Sequence, residues 1–117
     1  MLLCKNICSY CDFPKVLCID NFVDDYLEAL HNEILDFYEG EKIKTIYVGG
    51  GTPTSLDDKS FDDILSFLSS YLGTNGEFTV EANPESLSKS KCEIMKKYGV
   101  NRLSIGLQTT NDDLLKL

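Results

Sequence analysis

The sequence is short of basic residues and has no long hydrophobic run. Its 117 residues include 11 lysine and arginine residues against 19 aspartate and glutamate residues, for a net charge of -8. A nucleic-acid-binding surface needs positive charge to displace phosphate counterions, so this balance disfavours general nucleic-acid binding. No apolar run approaches the roughly 20 residues of a membrane-spanning helix, and Met1-Leu2-Leu3 is too short for a signal peptide. We therefore expect no nucleic-acid partner, no membrane span and a cytoplasmic location.

The cysteines are odd in number, and three of the five are crowded into the first eleven residues. A secreted disulfide framework usually has an even number of cysteines spread along the chain, so this pattern favours a reducing compartment and a metal site. Cys4, Cys8 and Cys11 follow a CxxxCxxC spacing, and thiolates are soft ligands that select zinc, copper(I) or iron–sulfur clusters. Three thiols would hold three corners of a [4Fe–4S] cluster and leave the fourth iron open to a small molecule.

The two other cysteines have separate interpretations. Adding Cys18 to the crowded group would complete a zinc site with four thiolate ligands, which is an alternative to the cluster. Cys92 lies within a helical pattern, and free cysteine is among the residues most often buried, so we expect it in the core. His31 is alone in its helix and is expected to be a surface or packing residue.

Amphipathic helices alternate with β-rich runs along the rest of the chain. Residues 4–20 are predicted to be a loop, and a last helix is expected to start at Thr110 or Asn111. The other predicted elements are helices over 21–38, 60–72 and 88–98 and strands over 42–48, 77–82 and 100–107. This alternation predicts an α/β fold of parallel βα repeats. The candidate site residues fall at the carboxyl ends of these strands, where parallel α/β barrels carry their sites.

Two of these strand ends carry a glycine run and a carboxylate. Residues 49–54, Gly-Gly-Gly-Thr-Pro-Thr, lack the P-loop lysine and the GxGxxG spacing of a dinucleotide fold, so alone they indicate a tight turn or a ligand cradle. Glycine lets backbone amides and carbonyls approach a ligand closely. Glu81 ends an apolar strand, where a carboxylate needs a partner, and the alternative is a structural acid bonded to a neighbouring amide or lysine. Gln108 ends the next strand with an amide that donates and accepts.

Four motifs make the sequence similar to a known family. They are residues 4–13, with the aromatic Tyr10 before the third thiol, and residues 47–54, 80–85 and 101–109. Their order and composition resemble the radical S-adenosylmethionine (SAM) proteins, and among these the oxygen-independent coproporphyrinogen III oxidase family. The resemblance implies a partial TIM barrel. Residues 1–117 would be a partial core domain, with the first strand mostly missing and the later βα units and the C-terminal region absent.

The resemblance implies two cofactors, a [4Fe–4S] cluster and SAM. It assigns the cluster to the three crowded thiols, Cys4, Cys8 and Cys11. It assigns SAM contacts to Tyr10, Gly50, Gly51, Thr52, Glu81 and Gln108. In this family the reduced cluster cleaves SAM to a radical that abstracts a hydrogen atom from a substrate, so an electron donor for the cluster is an expected partner.

Phe13 separates two branches of this family. The oxidases carry a further cysteine two residues after the third thiol, whereas Cys11-Asp12-Phe13 is the form of the heme chaperone branch. The resemblance therefore implies a heme chaperone that binds heme and transfers it to heme-accepting proteins. The alternative is an oxidoreductase that decarboxylates coproporphyrinogen III to protoporphyrinogen IX. Both functions use the cluster and SAM, so those sites do not separate them.

Overall fold

The computed structural model describes residues 1–17 and 20–114. Within them the strands are β1 (Leu3–Cys4), β2 (Val16–Leu17), β3 (Ile43–Val48), β4 (Leu72–Ala82) and β5 (Arg102–Ile105). The helices are α1 (Asp20–Phe37), α2 (Asp58–Ser69) and α3 (Lys89–Lys97), and short 3-10 turns follow β3 and β4 at Pro53–Ser55 and Pro84–Ser86. None of the helices in these two ranges is long and apolar enough to cross a membrane.

The paired strands are parallel and form two small sheets. β4 lies between β3 and β5, with Val48 opposite Val80. β1 pairs with β2, and the two sheets are linked because the Gly51 N–H donates to the Met1 carbonyl at 2.6 Å. The predicted α/β fold of parallel βα units is confirmed. Over the described residues the sheet remains open and does not close into a barrel.

The hydrophobic core lies between the helices and one face of the larger sheet. Phe61, Ile64 and Leu65 of α2 share one cluster with Phe78 and Val80 of β4, and each of the five is at most 1% exposed. Removal of apolar surface from water contributes about 25 cal/mol per Å² and fixes the helices on the sheet. The opposite face of the sheet therefore remains available for polar side chains.

Capping residues set the starts of α2 and α3. The Asp57 carboxylate accepts the Ser60 N–H at 3.0 Å, which satisfies an amide that has no partner inside the helix. The Ser88 hydroxyl accepts the Lys91 N–H at 3.2 Å in the same way. Gly99, with φ of +77°, adopts the left-handed conformation that ends helices. Local chemistry thus places α3 within one residue of its predicted bounds.

Several predicted boundaries are wrong where long-range pairing decides them. The loop predicted over 4–20 contains β2, whose pairing with β1 depends on distant residues. α2 ends at Ser69 rather than at Leu72, because Leu72 pairs with Ile43 and extends β4. β5 is shorter than predicted. The last helix is predicted to start at Thr110 or Asn111. In the structure this start is a turn, in which the Asn111 side chain accepts the Asp113 N–H at 2.9 Å. Residues 115–117 lie outside the described residues.

Two side-chain predictions on the helices have opposite outcomes. His31 stacks on Phe67 of α2, with ring centroids 4.0 Å apart, so its packing role is confirmed. Cys92 is exposed, and its predicted burial is wrong. The helical pattern of α3 is compatible with burial of either side, and the packing of α3 buries Met95 and leaves Cys92 on the surface.

Candidate functional site

The cysteine loop, residues 4–15, begins at the end of β1 and returns beside it. The parallel pairing of β2 with β1 closes the loop. Inside it the Cys11 N–H donates to the Cys8 carbonyl at 3.2 Å, and the Lys15 ammonium donates to the Cys11 carbonyl. The thiols of Cys4, Cys8 and Cys11 are unpaired and partly buried. One closed loop therefore holds all three thiols at the carboxyl end of β1.

The glycine loop, residues 49–52, uses three of its backbone amides within the protein, and that of Gly50 donates to Glu81. The Gly51 N–H donates to the Met1 carbonyl at 2.6 Å, and the Thr52 N–H donates to the Leu3 carbonyl at 2.8 Å. Glycine lets another backbone come close, and here that backbone is the chain's own, at Met1 and Leu3. The Gly51 and Thr52 amides are therefore bonded within the chain itself, and the SAM contacts at Gly50, Gly51 and Thr52 stay predictions.

Glu81 lies at the carboxyl end of β4, beside the glycine loop. Its Oε2 atom accepts the Gly50 N–H at 3.0 Å, and its Oε1 atom accepts the Tyr47 hydroxyl at 2.5 Å. The predicted need for a partner is thus met by protein groups, as in the structural alternative. An ionised carboxylate has about four lone-pair positions, so two partners leave capacity for a ligand. Tyr47 was not among the predicted site residues.

The side-chain amides of Asn83 and Gln108 lie close to Gly106. A β-carbon at Gly106 would be 3.0 Å from Gln108 Nε2 and 3.3 Å from Asn83 Oδ1. The Asn83 amide also donates to Thr52 Oγ1 at 3.4 Å. Asn83 directly follows β4 and lies on the same edge as Glu81, where the sequence predicts site residues.

One cavity of about 690 Å³ collects most of the predicted site residues. Those that line it are Cys4, Cys8, Cys11, Tyr10, Gly50, Gly51, Thr52 and Gln108. Glu81 is not a lining residue and reaches the cavity wall through the amide of Gly50. Asn83, Ser55 and Ser86 line it as well, and none of the three was a predicted cofactor contact. Four separate stretches of the chain meet at this cavity.

Tyr10 lies beside Cys8 in the cavity wall. A hydrogen bond with the Cys8 side chain is the main cause that raises the pKa of Tyr10 above its ordinary value. Burial and the negative charges of the Cys8 and Cys11 thiolates raise this pKa further. Tyr10 is 65% exposed and lines the cavity.

The donor set fits an iron–sulfur cluster. Thiolate is the usual protein ligand of such clusters, and in a cubane each thiolate binds a different iron, so the sulfurs do not converge on one point. Across residues 1–17 and 20–114, no three His, Cys, Asp or Glu side chains are grouped closely enough to hold a metal ion. Cys18, which the zinc alternative requires, lies outside the described residues.

Comparison with known proteins identifies the family. The family model described as the Radical SAM superfamily matches residues 1–117, the whole chain. The chain therefore belongs to the radical SAM superfamily. Membership implies a [4Fe–4S] cluster and SAM as cofactors.

The chain is similar to curated heme chaperones and to a solved oxidase structure. It is 44% identical over 119 residues to the heme chaperone HemW of Bacillus subtilis (strain 168), and 34% identical to that of Escherichia coli (strain K12). These alignments cover 97% of this chain but only 31% and 32% of the relatives. The solved coproporphyrinogen III oxidase HemN from Escherichia coli matches with a TM-score of 0.87 and 25% identity, over 99% of this chain and 28% of that chain.

These findings confirm the resemblance that the four motifs indicate. The chain is HemW- and HemN-like, and its fold is that of part of a radical SAM barrel. It spans less than a third of the length of these relatives.

Proposed function

We propose that this chain binds a [4Fe–4S] cluster through Cys4, Cys8 and Cys11, with SAM between the cluster and the glycine loop. The observation that carries the proposal is the single cavity onto which the cysteine loop, the glycine loop and Gln108 all open. The bound cluster supplies one-electron chemistry toward SAM. The chain's own residues hold the two groups in place, and Tyr10 limits the access of water from outside.

We also propose that residues 1–117 are part of a larger core domain. Among the described strands, none covers the outer edge of β3 or of β5. Unpaired edges expose backbone N–H and C=O groups, and closure of a barrel removes them. The later βα units would then be supplied by residues outside this sequence. The experiments below therefore use the polypeptide that contains this chain.

The roles proposed for Glu81 and Gln108 are hydrogen bonds to SAM. We expect Glu81→Ala and Gln108→Ala each to weaken SAM binding by about ten- to hundredfold, since each removes hydrogen-bonding groups at the site. Cluster content should not change, because neither residue belongs to the cysteine loop. Equilibrium dialysis of the anaerobically reconstituted protein with SAM measures this. Glu93→Ala, on the exposed surface of α3, is the control, and normal SAM affinity in both site variants would make the two residues structural.

We propose that the protein containing this chain is a heme chaperone. The curated relatives with 44% identity are heme chaperones, whereas the oxidase structure is 25% identical. Phe13 lines the cavity at the position where the resembled oxidases carry a cysteine, and it is 76% exposed. The partners would be heme, heme-accepting proteins and an electron donor for the cluster, in the cytoplasm. The oxidase remains the second candidate, favoured by the TM-score of 0.87.

The two candidate functions are separated by two measurements. We expect the protein to bind heme, seen as a shift of the heme absorption spectrum on titration. We expect no conversion of coproporphyrinogen III to protoporphyrinogen IX with SAM and an anaerobic reductant, because the oxidase cysteine is replaced by Phe13. The products are oxidised to porphyrins and separated by chromatography.

The Escherichia coli coproporphyrinogen III oxidase is the positive control in the same assay. Formation of vinyl porphyrins at a rate comparable with that enzyme would overturn the chaperone proposal and favour the oxidase. Failure to bind heme would also count against the chaperone.

A further inference from the structure

Tyr47 links two strands of the larger sheet on the face opposite the helices. Its hydroxyl donates to Glu81 Oε1 at 2.5 Å, which joins β3 to β4. The Ser104 side chain on β5 also acts on this hydroxyl and lowers its pKa. Glu81 Oε2 in turn accepts the Gly50 N–H at 3.0 Å. A continuous chain of hydrogen bonds therefore runs from Tyr47 on β3 through Glu81 on β4 to the glycine loop.

Gly49 leaves the space in which this arrangement is packed. A β-carbon at Gly49 would lie 2.5 Å from Tyr47 Cε1 and 2.8 Å from the Glu81 carboxyl carbon, closer than side chains pack. Gly49 does not have a positive φ, so the requirement here is space and not backbone conformation. The tyrosine ring and the carboxyl group are thus held directly against the glycine loop.

We propose that Tyr47 is a positioning residue that aims the Glu81 carboxylate at SAM. The inference rests on the proposed function, in which Glu81 accepts hydrogen bonds from SAM. An unrestrained glutamate loses rotamer entropy when it orders around a ligand. Two hydrogen bonds, from Tyr47 and from Gly50, order Glu81 before the ligand arrives, and such preorganisation strengthens binding. The remaining lone pairs of the carboxylate stay available to SAM.

The Tyr47–Glu81 hydrogen bond is tested first, without any cofactor. The bond to Glu81 is the main cause that raises the pKa of Tyr47 above its ordinary value, and Ser104 and Arg102 oppose it. In protein labelled with ¹³C at the tyrosine ζ carbon, the Tyr47 resonance is the one missing from Tyr47→Phe. We expect its pKa to fall in Glu81→Ala. An unchanged pKa in that variant would overturn the inference.

A double-mutant cycle tests the role toward SAM. Tyr47→Phe keeps the ring and removes the hydroxyl, and we expect SAM affinity to fall about three- to tenfold with unchanged iron content. In the Glu81→Ala background the same change should alter affinity less than about twofold, because no carboxylate is left to aim. Tyr38→Phe removes a hydroxyl that donates to the Glu41 carbonyl, away from the cavity, and should leave affinity unchanged.

The outcomes separate this role from the alternatives. Equal losses in the two backgrounds would mean that Tyr47 acts on the ligand directly or on the fold, and would overturn the positioning role. Unchanged affinity in Tyr47→Phe alone would overturn it as well. If the unaltered protein binds no SAM, the proposed function fails, and the role toward SAM fails with it. The NMR titration would still decide whether the Tyr47–Glu81 pair exists.

Discussion

Alanine in place of Cys4, Cys8 or Cys11 is expected to abolish assembly of the [4Fe–4S] cluster. Each thiolate would ligate a different iron, so no remaining thiol compensates for the lost one. The described residues place no other cysteine in the cavity wall. Iron and acid-labile sulfide per chain, measured after anaerobic reconstitution of the polypeptide that contains this chain, should fall to background in each variant.

Cys92 provides a matched control for these variants. It is an exposed free thiol on α3 and does not line the cavity, so Cys92→Ala should retain full iron content. Cys18→Ala is expected to retain it as well. Stoichiometric zinc that depends on Cys18 would contradict the cluster proposal and favour the site with four thiolate ligands.

Gly50→Ala and Gly51→Ala are expected to destabilise the protein and to lower the yield of cluster. A β-carbon at Gly50 would overlap the Met1 carbonyl oxygen, and one at Gly51 would overlap the Leu3 carbonyl oxygen. Backbone atoms cannot rotate aside as the end of a side chain does, so β1 and the cysteine loop that follows must shift. Such overpacking costs about 1–3 kcal/mol. The φ of +111° at Gly50 adds about 1–2 kcal/mol for a residue other than glycine.

Gly99→Ala isolates the contribution of backbone conformation. Gly99 also has a positive φ, of +77°, but a β-carbon there would meet no atom within 4 Å. Chemical denaturation should show a larger loss of unfolding free energy for Gly50→Ala than for Gly99→Ala. Only Gly50→Ala should also lose iron. Equal losses would indicate that β1 does not pack against the glycine loop.

Much of the fold follows from local sequence. The apolar spacing of α1, α2 and α3 and the caps at Asp57 and Ser88 are properties of neighbouring residues, and the helices begin close to their predicted starts. The alternation of helices and strands predicts the parallel sheet, since βα repeats pair in no other common way. The four motifs predict the family, because residue types and order are sufficient for that resemblance.

Contacts between distant residues had to be seen in the tertiary structure. The spacing of the cysteines predicts their ligand chemistry, but the meeting of their loop with the glycine loop depends on how β1 lies beside residues 49–52. Burial of Cys92 depends on which side of α3 faces the core, and the helical pattern allows either side.

The hydrogen-bond partners at the site also had to be seen in the tertiary structure. The sequence by itself determined the residue types at the strand ends, including Glu81 and its need for a partner. Only the tertiary structure decided that Tyr47 and the Gly50 N–H are those partners, and that Met1 and Leu3 accept the next amides of the loop. The physical reason is that a hydrogen bond requires a distance and a direction between two groups. Those are set by strand register and packing, which no local pattern contains.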